Sequence, residues 1–183
     1  MQYRSFFLVI ALLAACGGPD TSPFFLWSLR PGMPLDSVDQ ALRQRDELSP
    51  TASVWDHCTP LDAGAQRCVR RNKSPWGQLD VVAGSDGRVL YLSFAPGTRS
   101  TVFDDSLSRM QQRWVGSRGT HMETHGVSET NPKGVAEMRN GHWRAFMTFD
   151  GKLCGGTTRP CPARIQLVDW SAGRKYADMT VPQ

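Results

Sequence analysis

Gly77-Gln78-Leu79-Asp80-Val81-Val82-Ala83-Gly84-Ser85-Asp86-Gly87-Arg88-Val89-Leu90-Tyr91-Leu92-Ser93-Phe94 is the stretch whose reading decides the fold. Two short runs rich in β-branched and aromatic residues flank Gly84-Ser85-Asp86-Gly87, and the Asp-Gly pair supplies the positive backbone angle that a tight hairpin requires. Two further strand-like runs lie upstream, Ser53 to Cys58 and Gln66 to Arg71, each bounded by turn residues. This part of the chain therefore reads as an antiparallel meander.

Before the meander, Leu35, Val38 and Leu42 recur at helical spacing over Pro34 to Leu48, with Asp36, Asp39, Arg43, Gln44 and Asp46 on the other face. That is an amphipathic helix, with Pro34 suited to its first turn and the early acids placed favourably for the helix dipole. The same order then recurs. Phe103, Leu107, Met110 and Trp114 mark a second helix, which Gly116 stops. Strand-like runs follow around Thr120 to His125, Gly134 to Arg139, His142 to Phe149 and Ala163 to Trp170, with a second Asp-Gly at Asp150-Gly151. The distance from Val38 to Asp86 nearly equals that from Phe103 to Asp150, which suggests a repeat. The fold class expected is α+β, a tandem of helix plus four-stranded antiparallel sheet units at 34–97 and 98–183, helices packed on one face.

Outside those units, the N-terminus carries an address. Arg4 precedes the apolar run Phe6-Phe7-Leu8-Val9-Ile10-Ala11-Leu12-Leu13, which is too short to span a bilayer and ends on small residues, the layout of a secretory signal over 1–15. The following Leu13-Ala14-Ala15-Cys16 resembles the lipobox of bacterial lipoproteins, which implies that Cys16 is acylated and becomes the first residue of the mature chain. Gly17 and Gly18 follow without the Asp that signals inner-membrane retention, so the resemblance implies a lipid-anchored, outer-membrane protein facing the periplasm. Residues 16–33 are then expected as a lipidated tether.

The chain has five cysteines. In an oxidising compartment the four beyond Cys16 are expected to form two bridges. Three connectivities are possible; Cys58 with Cys68 and Cys154 with Cys161 are favoured, because each pair flanks a short polar segment able to bring the sulfurs together across a turn. Neither spacing fits zinc or a C-x-x-C redox pair. A formal charge of +4 at pH 7 is too mild to indicate a nucleic-acid partner.

Leu29-Arg30-Pro31-Gly32-Met33-Pro34-Leu35-Asp36-Ser37-Val38-Asp39-Gln40-Ala41-Leu42 resembles the Gly-Met-x-x-x-x-Val-x-x-x-Leu helix start of BamE/SmpA-like outer-membrane lipoproteins. Their wider superfamily includes the beta-lactamase inhibitor protein, and the resemblance implies a curved antiparallel sheet with helices on one face, used to bind proteins in the envelope.

Catalytic motifs are not evident. Gly84-Ser85-Asp86-Gly87 lacks nucleophile-elbow spacing, neither a Walker A run nor a dinucleotide glycine fingerprint occurs, and paired acids such as Asp104-Asp105 sit at a helix start. His121, Glu123 and His125 alternate along one strand and so share a face, which places them as candidate metal ligands if His142 or His57 joins them; a solvated polar sheet face explains them more simply. Of the six tryptophans, Trp114 is on the apolar helix stripe. Trp76, at a loop, and Trp143 with Arg144 are candidate protein-binding residues, although Trp143 also shares a strand face with Ala145, Met147 and Phe149. The expected function is a non-enzymatic envelope lipoprotein, a protein-binding or scaffolding module with no cofactor. The alternatives are an inhibitor of a periplasmic or extracellular enzyme and a metal-dependent hydrolase.

Overall fold

Alternation is the local cause of the sheet. Leu79 and Val81 point to one side of their strand while Asp80 and Val82 point to the other, and the neighbouring strands repeat the pattern. In a computed structural model, residues 21–72, 77–96, 101–127, 133–153 and 160–177 are described. The elements are α1 (Leu35–Arg45), β1 (His57–Pro60), β2 (Gln66–Asn72), β3 (Gly77–Ala83), β4 (Val89–Ala95), α2 (Thr101–Val115), β5 (His121–His125), β6 (Lys133–Asn140), β7 (Trp143–Leu153) and β8 (Pro160–Asp169). No helix among the described residues is long and apolar enough to cross a membrane.

The expected pair of separate helix-plus-four-strand units is not what forms. Among the described residues eight strands make one antiparallel sheet, in the order β1-β2-β3-β4-β8-β7-β6-β5, accompanied by two short α-helices. The joint is β4 against β8, with Leu92 opposite Leu167 and Phe94 opposite Ile165. Two separate sheets would each have left one of these apolar strands as an unpaired edge; pairing them satisfies both backbones. A division at residues 97 and 98 therefore separates hydrogen-bonded neighbours.

The spacing that suggested a repeat also dissolves. Gly84-Ser85-Asp86-Gly87 is a turn, with the Gly84 N–H donating to the Arg88 carbonyl (2.8 Å) and Gly87 at φ +74°. Asp150-Gly151, by contrast, lies within β7, where Asp150 pairs with Lys133 and the register to β8 shifts between Phe149 and Leu153. The difference lies in the partner strands: β6 and β8 continue alongside β7 through Asp150-Gly151.

One face of the sheet carries the main core. Val38 and Leu42 of α1 and Leu107, Met110 and Trp114 of α2 cluster with Leu79, Val81, Leu92, Phe94, Met138, Ala145, Met147, Ile165 and Leu167. The helix α1 starts after Pro34 without a side-chain cap, has Asp36 in its first turn, and ends when Glu47 takes a left-handed backbone conformation (φ +50°). Residues 21–33 are no tether in this fold. Phe24, Leu26 and Leu29 are buried in the core, Phe24 meets the fully buried Trp114 edge to face at 6.1 Å, and the Trp27 ring meets Phe94 at 5.1 Å. Their aromatic and aliphatic bulk favours burial by roughly 1.5–3 kcal/mol per side chain. Cys16, expected as the lipid anchor, lies outside the described residues.

Candidate functional site

The second sheet face is where polar chemistry collects, because every other residue of each strand points there. One cross-strand row runs Asp80, Ser93, Gln166, Phe146, Glu137 and Glu123, read from the pairing of β3, β4, β8, β7, β6 and β5. Asp80, Ser93, Gln166 and Glu137 in this row are buried, so each needs a partner. At the β2 end, Arg67 donates to both carboxylate oxygens of Asp80, a bidentate pair that lifts the Arg67 guanidinium above its ordinary pKa. In the middle, the Tyr91 hydroxyl donates to Gln166 Oε1 at 3.0 Å, and burial raises the pKa of that phenol.

At the β5 end the row becomes an ion-pair network. Arg139 donates from Nε and Nη2 to the two Glu137 oxygens, each at 2.8 Å, and its Nη2 is 3.1 Å from Glu123. Arg144, directly across the pairing from Arg139, reaches Glu137 at 3.5 Å. Two guanidiniums at facing positions would repel; the buried carboxylate of Glu137 between them removes the conflict. The hydrogen bond and the charge of Glu137, with that of Glu123, hold the Arg139 pKa above its ordinary value.

This geometry places the residues singled out from sequence. Glu123 and His125 come together, with His125 Nε2 3.8 Å from Glu123, and Glu137 joins them so that the three ligand-bearing groups lie within 4.8 Å of one another. His121 stands outside that trio, His57 sits on β1 at the opposite edge of the sheet, and His142 occupies the β6–β7 turn against the Trp143 ring. The two carboxylates are already taken up by Arg139 and Arg144, so a cation would have to compete with fixed guanidiniums for the same oxygens.

Trp143 is a correction: at 4% exposure it is part of the core and presents no ring to a partner. Arg144 stays on the second face, tied to the Gly141 and Trp143 carbonyls at 2.6 and 2.9 Å. Trp76 lies outside the described residues. Cys58 and Cys68, directly opposite in the β1–β2 register, form a disulfide. Cys161 is buried and disulfide-bonded, and Cys154 lies outside the described residues. Glu137 and Arg139 escaped the sequence reading. Their alternation put them on one face of a strand, but only the register with β5 and β7 brings them to Glu123 and Arg144.

The chain matches no family model, no curated protein and no solved structure.

Proposed function

We propose that this chain is a lipid-anchored envelope protein of the outer membrane, facing the periplasm, that acts as a non-enzymatic binding module for another envelope protein. The observation that carries the reading is β5. Among the described residues it is an edge strand of the sheet, all five of its residues are exposed, it contains no proline, and the Glu123–Arg139–Glu137–Arg144 network backs it. Such an edge offers unpaired backbone groups to an extended partner, while the alternating side chains supply selectivity. Met122, 47% exposed, adds an adaptable apolar contact.

The compartment is supported by Leu13-Ala14-Ala15-Cys16 and by the Cys58–Cys68 disulfide, since such bridges persist outside the reducing cytosol. Metabolic labelling with a tritiated fatty acid tests the anchor: the label should be incorporated by the natural chain and lost in Cys16→Ser. For the binding reading, a photo-crosslinking residue is placed at Met122 or, as a control, at exposed Thr51 of the full-length protein in its native host. One envelope protein captured from position 122 and not from 51 supports the reading. Identical capture from both positions, or none from 122, removes it. If the captured protein is an enzyme that loses activity in the complex, the module is an inhibitor.

A further inference from the structure

Beyond Asp169 the chain forms a fixed ledge that continues the second face past the end of β8. The Trp170 N–H donates to the His142 carbonyl at 2.8 Å, and Asp169 Oδ1 accepts the Ser171 N–H at 3.0 Å. Gly173 is pressed so closely on the Leu90 carbonyl that a Cβ there would collide with it. A 3-10 turn, Arg174–Tyr176, closes the ledge, and Tyr176 packs with Leu61 and Trp170 around Val82, Tyr91, Phe146 and Val168.

On this scaffold the cations are stacked on rings. Arg174 lies 5.1 Å over Trp170, Arg144 lies 5.9 Å from the same ring, and the Lys175 ammonium is 5.0 Å over Tyr176. Arg174 and Lys175 are exposed and form no ion pair among the described residues. A guanidinium stacked on indole keeps its N–H edge free for a carboxylate and loses little side-chain entropy on binding one. Two clefts flank Lys175. One, about 450 Å³, is lined by Ser171, Ala172, Arg174 and Lys175, with the Asp169 carboxylate behind it, taken up by the Ser171 N–H and hydroxyl; the other, about 420 Å³, is lined by Pro60, Leu61, Asp62, Lys175 and Tyr176.

We infer that this ledge docks an acidic peptide segment of the partner, a carboxylate entering beside Ser171 and Arg174 and a neighbouring apolar side chain resting on Leu61 and Tyr176. The assignment rests on the protein-binding reading and names the partner's chemistry. Charge complementarity selects the carboxylate for the cleft lined by Arg174 and Lys175, where the one adjoining acid, among the described residues, is already satisfied by Ser171, and Asp62 repels a second carboxylate from the cleft with the apolar wall. Clefts of different character on either side of one lysine match successive side chains of an extended peptide better than a uniform anionic surface.

The test uses the purified full chain in detergent and a fluorescein-labelled peptide of alternating glutamate and leucine, read by fluorescence polarisation. A lysine-leucine peptide and phosphatidylglycerol vesicles serve as comparison ligands. The expected result is binding of the acidic peptide alone, weakened about tenfold or more by Arg174→Glu with Lys175→Glu and unchanged by Arg113→Glu, exposed on α2, which packs on the other face of the sheet. Affinity unaffected by the double reversal overturns the inference, as does binding of the vesicles in place of the peptide. If the peptide fails to bind while crosslinking from position 122 still captures one protein, only the ledge assignment falls; if both fail, the binding reading falls with it.

Discussion

The two edges of the sheet, β1 and β5, are both short and exposed at every residue, yet they are held by different means. β1 is covalently stapled to β2 by Cys58–Cys68, contains Pro60, and is backed by Arg70, whose guanidinium pairs with Asp46 of the α1 terminus at 2.5 Å. β5 has neither staple nor proline; ion pairs through Arg139 and Glu137 are its side-chain support. A proline and a staple blunt an edge against new pairing, whereas a soft edge is left available. The difference teaches that one side of the sheet is braced covalently while the other is held by ion pairs that a change of charge or salt can loosen.

The comparison can be attacked first at what the edges share. Trp114→Ala should cost about 3–5 kcal/mol through the cavity it leaves in the core, and because one sheet rests on that core, both edges should melt in one denaturant transition followed by tryptophan fluorescence and circular dichroism. Two separated transitions would break the single-sheet account. Replacing Cys58 and Cys68 together by serine should cost about 2–3 kcal/mol and raise amide hydrogen exchange in β1 while leaving β5 unchanged. Equal changes at both edges would show that the staple is not a local device.

Smaller effects sharpen the β5 side. Glu137→Gln leaves Arg139 and Arg144 facing each other without their shared anion and should cost about 1–2 kcal/mol by urea unfolding, with faster exchange confined to β5 and β6. Glu123→Gln, whose side chain is half exposed, should cost less than about 1 kcal/mol and less still in high salt.

Acid acts on the other edge. Burial alone would raise the Asp46 carboxyl, but the hydrogen bond from Arg45 and the charges of Arg45 and Arg70 outweigh it and hold the pKa below the usual carboxylate range. A depressed carboxylate contributes stability that is fully present above its unfolded pKa, near 4, and is lost as pH falls through the folded value. Asp39 acts in the opposite sense. Burial raises its pKa despite the hydrogen bond from the Trp55 indole, so the informative quantity is the difference between the natural chain and Asp46→Asn. That difference should shrink as pH falls below about 4. A constant difference across the range would exclude Asp46 as the source.

Much of the local structure was legible. The helical recurrence of Val38 and Leu42, the alternation along 77–83 and 88–94, and the turn at Gly84-Ser85-Asp86-Gly87 are all properties of neighbouring residues, and the corresponding elements form there. Asp150-Gly151 misled because a glycine permits a positive angle without requiring a turn; Gly151 has φ +90° within a strand. Of the site, the shared face of Glu123 and His125 could be read from period-2 alternation, whereas the arrival of Glu137, Arg139 and Arg144 depends on interstrand register. The ledge went unread because Trp170 and Arg174 stack only after the chain turns at Gly173.

By itself, then, the amino-acid order determined the places of both helices, of most strands and of the first turn, and which cysteines could meet across one, since these depend on interactions within a few residues; the first strand, expected over Ser53 to Cys58, forms instead at His57–Pro60, where the register with β2 sets it. Only the tertiary structure decided that β4 and β8 join eight strands into one sheet, that Phe24 and Trp143 are buried, and that the carboxylates near β5 are claimed by arginines. Those outcomes depend on pairing between segments far apart in sequence, where backbone hydrogen bonds and apolar burial are settled jointly across the whole sheet and not residue by residue.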